Sequence, residues 1–304
     1  MEDDIRAACF LWLKEQCQIY GSALPWALLQ QGFSCNGDRV TVVGRTGIWK
    51  PRQFETIPIS ILTTLENPYK DGFDAEGFLV YHYRGSDPGH RDNLGLRQAC
   101  NTRTPLVYFH AIAKALYVPV WPIFIMEDNP ASLTCLGAVD PAYATGDHPL
   151  HIPELAGLKD PQSMLGIRKY IATFTMKRVH QAHFREAVVA AYSESCALCR
   201  LRHRELLDAA HIVSDTKPKG DAIVPNGLCL CKIHHAAFDE NIIGISPDYV
   251  VQIRKDILLE KDGPMLAHGL QGLHHGNLLL PRRLDDRPDK ERLAIRYEEF
   301  LKAM

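Results

Sequence analysis

Between residues 39 and 125 apolar and polar positions alternate in five short runs: RVTVVG (39–44), TIPISILTTL (56–65), GFLVYHYRG (77–85), TPLVYFHAI (104–112) and YVPVWPIFI (117–125). Their β-branched and aromatic content, broken by Gly, Pro and Asp, predicts the strands of a mainly β domain, a sheet or partial barrel. Residues 3–20 carry apolar side chains at helical spacing and predict a leading helix. Residues 139–162 are rich in Pro, Gly, Ala and Asp without a period, the composition of a linker. From 163 to 193 the period becomes helical again, with Ile167, Ile171, Phe174, Phe184 and Val188 on one stripe. The chain therefore reads as α+β: a mainly β domain (1–138), a linker (139–162), and a second domain (163–304) entered through a helix.

A length of 304 residues suits two domains, each with its own core. An apolar fraction of 46% and a charged fraction of 23% are those of a soluble globular protein, and no apolar run is long enough to span a bilayer. The acidic start, MEDD, differs from the basic opening of a secretory signal, so a cytoplasmic protein without a membrane role is expected. The net charge of −2 provides no bulk positive field, so any affinity for nucleic acid must be local. Two clusters could supply it: Lys177, Arg178, His180, His183 and Arg185 in the expected helix, and Arg200, Arg202, His203 and Arg204 in the loop beyond it.

Four of the nine cysteines fall between Cys196 and Cys231, which favours a metal site over a disulfide framework. CALC (196–199) and CKIH (231–234) form two knuckles whose Cys196, Cys199, Cys231 and His234 suit tetrahedral Zn²⁺. Cys229 is a competing donor, assigned to packing. Cys9, Cys17, Cys35, Cys100 and Cys135 are read as ordinary buried thiols.

Between and just after the knuckles lie DAAHI (208–212), VPNGL (224–228) and HHAAFDENIIGI (234–245). This order resembles the HNH endonuclease family, whose active site sits on a hairpin and a following helix, the ββα-metal fold. The resemblance implies His211 as general base, Asn226 as the residue that orients the base strand and its loop, and His235 as a ligand of a catalytic divalent ion. Many family members carry a metal-binding Asp or His just before the base; here Ala210 stands there. Asp208, on the same strand side as residue 210, and Asp239, one helical turn after His235, are alternative carboxylate ligands. Imidazole and carboxylate donors accept Mg²⁺, Mn²⁺, Co²⁺ or Ni²⁺. A histidine near its ordinary pKa suits proton removal from an attacking water.

Two stretches of the first domain, GRTGIWKPRQF (44–54) and YHYRGSDPGHRDNLGLR (81–97), combine aromatics, cations and turn residues. With the β domain, linker, helix, HNH segment and tail in this order, the whole chain resembles modification-dependent, type IV-like restriction endonucleases in which an SRA-like (PUA-like) domain precedes HNH. That resemblance implies double-stranded DNA as partner and a flipped modified cytosine, 5-methyl or 5-hydroxymethyl, as the recognised base. Trp49, Tyr81 and Tyr83 would stack on it, Asp87, Asp92 or Asn93 would accept from its amino group, and Arg84, Arg91 and Arg97 would hold phosphates. Other modifications such as phosphorothioate or methyladenine, a short unmodified sequence, a zinc-stabilised DNA-binding protein without catalysis, and a toxin-like nuclease are the rival readings. Cutting both strands suits a homodimer, with residues 255–304 available for packing.

Overall fold

The computed structural model describes residues 1–66, 71–74, 77–139, 164–261 and 263–304. The expected linker, Val139 apart, lies outside the described residues, as do the side chains of Ile167, Ile171, Phe174 and Arg178. The chain is α+β and divides into two compact units, Met1–Ala182 and His183–Met304.

The first unit runs α1 (Glu2–Tyr20), β1 (Leu24–Pro25), α2 (Trp26–Gln31), β2 (Phe33–Cys35), β3 (Asp38–Val40), β4 (Ile48–Trp49), β5 (Ser60–Thr63), β6 (Gly72–Phe73), β7 (Leu79–His82), α3 (Arg91–Thr102), β8 (Leu106–Ala113), β9 (Leu116–Asn129) and β10 (Thr134–Ala138). Among the described residues the main sheet has the order β4-β5-β8-β9-β10-β7-β6, with β1 added along β9. β5 and β8 pair in parallel and the other neighbours are antiparallel. β8 lacks a polar face because both of its faces are covered. Leu106 and Tyr108 join a core with Leu96 and Ala99 of α3, whereas Val107 and Phe109 join one with Ile5, Cys9 and Leu13 of α1. Cys9 and Cys135 are buried, while Cys17, Cys35 and Cys100 are only half-buried.

The run RVTVVG forms a strand only through Val40. Beyond it, side-chain donors take the place of a ladder: Trp49 Nε1 donates to the Thr41 carbonyl at 3.0 Å and Ser60 Oγ to that of Val42 at 2.6 Å. Val42 and Val43 are thereby buried without being in a strand.

The boundary between the units falls within α4 (Met164–Ala191). The second unit continues with β11 (Leu207–His211), β12 (Gly227–Cys231), α5 (Lys232–Asp239), β13 (Ile243–Ile245), β14 (Val251–Ile253), α6 (Lys255–Leu259), α7 (Pro264–Gly269) and α8 (Lys290–Lys302). β11 and β12 form an antiparallel hairpin in which Leu207 opposes Cys231 and His211 opposes Gly227. Its core gathers Phe184, Val188, Leu207, Leu228, Leu230 and Phe238. Gly227 permits the close approach of α4: a Cβ there would lie 2.3 Å from Val188 Cγ2 and 2.9 Å from Phe184 Cζ. Among the described residues no helix is long and apolar enough to cross a membrane.

Candidate active site

Cys231 ends β12 and caps α5, so the second knuckle is a strand-to-helix turn. This turn brings Cys231 and His234 to Cys196 and Cys199, and the four donor atoms lie within 4.8 Å of one another. His234 Nε2 donates to the Gly269 carbonyl at 2.7 Å, leaving Nδ1 to face Cys196 Sγ at 3.5 Å and Cys231 Sγ at 3.3 Å. A histidine ligand oriented through its other nitrogen is the usual arrangement of a structural metal site. Burial disfavours the Cys196 thiolate, yet hydrogen bonds from His234 and backbone N–H groups bring its pKa to about 6. Burial and the neighbouring Cys196 and Cys231 push Cys199 up to about 12. Three thiolates this close would repel one another, and a dication would relieve that repulsion. The set therefore fits zinc. Cys229 is fully buried, and burial pushes its thiol up to about 12.

β11 ends on His211, whose ring stacks on Phe184 with centroids 4.2 Å apart. His211 Nε2 is buried and has no hydrogen-bond partner among the described residues. Burial lowers its pKa below the ordinary 6.5, with Asp215 opposing and His235 adding to the shift. Asn226, fully buried, secures the loop that follows. Its Oδ1 accepts from Val213 N at 2.9 Å, and its Nδ2 donates to the carbonyls of Val213 at 2.9 Å and Asp221 at 3.0 Å. Asn226 thus positions the chain leaving His211 and presents no free polar atom.

His235 lies between two carboxylates on opposite ring nitrogens: Asp208 Oδ2 is 3.3 Å from Nδ1, and Asp239 Oδ2 is 3.3 Å from Nε2. The hydrogen bond to Asp208 raises the His235 pKa, burial opposes it, and the charge of Asp239 raises it further. Asp208 also accepts from Ala209 N at 2.8 Å and lies 3.6 Å from Arg185 Nε. His211, His235 and Asp239 line one cavity of about 410 Å³; Asp208 is not on its wall.

The basic clusters are partly tied up within the second unit. Arg185 and Arg204 both pair with Glu186, and Arg185 also donates to the carbonyls of Arg204 and Leu207. These arginines join α4 to the loop before β11. His180 and His183 remain exposed.

In the first unit Tyr81 and Tyr83 are core residues, 4% and 1% exposed, that also border a cavity of about 180 Å³ together with Arg84. Trp49, Asp87, Asp92 and Asn93 do not line it. The Trp49 ring packs over Gly44, where a Cβ would lie 1.9 Å from it. The buried Asn93 amide is used locally: Oδ1 accepts from Arg84 N, and Nδ2 donates to the carbonyls of Arg84 and Asp87. Asp92 pairs with Arg84 and Asp87 accepts from Gly89 N. Arg97 pairs with Asp128, and Arg91 lies 3.4 Å from Asp92.

Two wall groups were not foreseen. Asp71 Oδ1 accepts from His82 N at 2.8 Å and pairs with His82 Nδ1 at 2.9 Å, and both residues line the cavity. Tyr81 hydroxyl donates to the Gly47 carbonyl at 2.9 Å and closes one side.

The HNH endonuclease family model matches residues 196–246, which span both knuckles, the hairpin and α5. A solved structure described as a modification dependent TagI restriction endonuclease is 14% identical, with a TM-score of 0.29, over 80% of this chain and 82% of that one. The SRA domain of SUVH5, solved with methylated CHH DNA, is 20% identical, with a TM-score of 0.23, over 31% of this chain and 70% of that one. Comparison with curated proteins gives no match. Residues 196–246 are an HNH endonuclease domain.

Proposed function

We propose that the chain hydrolyses phosphodiester bonds of double-stranded DNA in the His211–His235 cavity, with one divalent ion, and selects modified DNA through its first unit. The observation that carries the nuclease chemistry is the buried, unpartnered Nε2 of His211 in a cavity shared with His235 and Asp239. A neutral imidazole with a lowered pKa accepts the proton of the attacking water at neutral pH. Phe184 holds its ring and Asn226 holds the loop, so the acceptor is in place before DNA arrives. The divalent ion, when bound, offsets the negative charge that grows on the phosphate and the leaving 3′ oxygen.

His235 Nε2 and Asp239 are the ligands we assign to that ion, because both belong to the cavity wall. Asp208 accepts from Nδ1–H and orients the ring, the role a carboxylate takes behind a ligating histidine. Cys196, Cys199, Cys231 and His234 hold structural zinc.

For the first unit, the 180 Å³ cavity receives a flipped modified cytosine, with Asp71 and His82 facing its polar edge. Digestion of unmodified, 5-methylcytosine and 5-hydroxymethylcytosine duplexes, with and without divalent metal, tests both parts. Cleavage must require metal and disappear in His211→Ala. Equal cutting of the three duplexes refutes the reader assignment and leaves the nuclease standing.

A further inference from the structure

Part of the His211–His235 cavity wall lies outside the segment matched to the HNH family. α8 contributes Arg296 and Glu299 from there, whereas Lys217 comes from the loop between β11 and β12, inside the matched segment. These three charges are coupled: Glu299 Oε1 accepts from Lys217 Nζ, and its Oε2 accepts from Arg296 Nη1 at 3.0 Å. Arg296 is anchored. Its Nη2 donates to the carbonyls of Phe238 and Asp239 at the end of α5, and its guanidinium lies 4.8 Å from the Phe238 ring centroid. Its side chain is only 14% exposed.

Lys217 stands differently, with a side chain 50% exposed at the tip of a long flexible stem. An ion pair this exposed is weak enough to be exchanged. A phosphodiester oxygen carries the same kind of charge as the Glu299 carboxylate, so the ammonium can trade one for the other. Apart from the divalent ion assigned to His235 and Asp239, the cavity draws its positive charge from few side chains. Three carboxylates, Asp215, Asp239 and Glu299, stand on its wall against two cations, Lys217 and Arg296. A polyanion entering such a site requires positive groups free to turn toward it.

We infer that Lys217 is a substrate-binding residue that takes a non-bridging oxygen of the DNA phosphodiester in this cavity, and that Glu299, fixed by Arg296, holds it there until DNA enters. The inference deepens the nuclease reading and rests on it. It makes α8 part of the active site.

The test uses the full chain with its zinc, in a His211→Ala background that binds without cutting, and a short unmodified duplex followed by fluorescence anisotropy. Lys217→Ala should weaken binding roughly three- to tenfold near 100 mM salt and reduce the slope of log affinity against log salt by about one, the signature of one lost phosphate contact. Lys217→Arg should restore the slope. Glu299→Gln, which frees the lysine, should bind at least as tightly as its parent. With His211 present, Lys217→Ala should raise KM for DNA by the same ratio. An unchanged salt slope in Lys217→Ala overturns the inference. So does an equal loss in Glu299→Gln, which would make the pair a strut between loop and helix. Should the parent chain fail to cut any duplex while Lys217→Ala still lowers the salt slope, the nuclease reading falls and the phosphate contact stands.

Discussion

The imidazole of His211 lies against the ring of Phe184, with planes 24° from parallel and centroids 4.2 Å apart. Phe184 belongs to α4 and His211 to β11, and the contact depends on Gly227, the residue across the hairpin that lets the helix come close. The stack fixes the ring plane. Phe184→Leu keeps most of the buried volume but loses the flat face, so the fold should persist while the ring gains freedom. The expected result is a fall in kcat of about tenfold, equivalent to ~1.4 kcal/mol, with zinc content unchanged. A variant that cuts at the parent rate would show that the stack does not position the base.

The two site histidines should separate by pH. Burial sets the His211 pKa below 6.5, so the neutral form that accepts a proton persists into mildly acid solution. His235 is shifted the other way, chiefly by its hydrogen bond to Asp208, so protons compete with a metal ion there above 6.5. At saturating divalent metal, log kcat/KM should fall with unit slope only below pH 6.5. At limiting metal the fall should begin above 6.5 and move toward acid as metal is added. A limb above 6.5 that ignores metal concentration would contradict the assignment of His211 as base.

The Cys3His donors proposed to hold zinc contrast sharply with the cysteine beside them. Cys229 sits two residues from Cys231 on β12, and its carbonyl accepts from Ala197 N at 2.7 Å, but its thiol stays protonated under burial. Cys229→Ala should retain a single zinc ion per chain with a modest loss of thermal stability. Cys199→Ser removes a ligand and should lose the ion. Because binding energy at such a site is folding energy, a strong chelator should also unfold the second unit. Metal content by mass spectrometry and the far-ultraviolet circular dichroism of each variant decide it.

The nuclease motif was legible because its parts lie on one hairpin and the helix that follows. Strand pairing and the helical repeat alone bring His211 and His235 to the same cavity and Asn226 beneath the loop. Asp71 was illegible for the opposite reason. It stands just before β6 in a DGFD stretch that reads in sequence as an ordinary turn, and only the pairing of β6 with β7 carries it to His82. Trp49 reads in sequence as a stacking residue; its indole N–H is held by the Thr41 carbonyl and its ring packs over Gly44, a curl of the chain that strand spacing does not reveal. Arg296 and Glu299, spaced i,i+3 on an amphipathic helix, look in sequence like any solvated face. Only the packing of α8 on β13, with Arg296 bonded to the end of α5, puts them on the cavity wall.

Ala210 leaves the strand without the metal ligand that many HNH domains place there, and the two carboxylates beside His235 differ in how they could replace it. Asp239 shares the cavity with His235 Nε2 and follows it by one helical turn, an arrangement in which both can reach one ion. Its backbone carbonyl is held by Arg296, so α8 fixes the end of the turn that presents it. Asp208 meets Nδ1 on the far side of the ring, away from that cavity, and is steadied by Ala209 N and Arg185. One ring cannot direct both nitrogens to the same ion, so the roles must divide. Asp239→Ala should raise the divalent metal concentration for half-maximal cleavage about a hundredfold, while Asp208→Asn, which keeps the shape but weakens the acceptor, should raise it about tenfold. Asp208→Asn should also lower the His235 pKa, read by nuclear magnetic resonance of the metal-free protein, because the hydrogen bond that raises it is weakened. If Asp208→Asn abolishes metal-supported cleavage and Asp239→Ala does not, the strand carboxylate is the ligand and Asp239 serves only to end the helix.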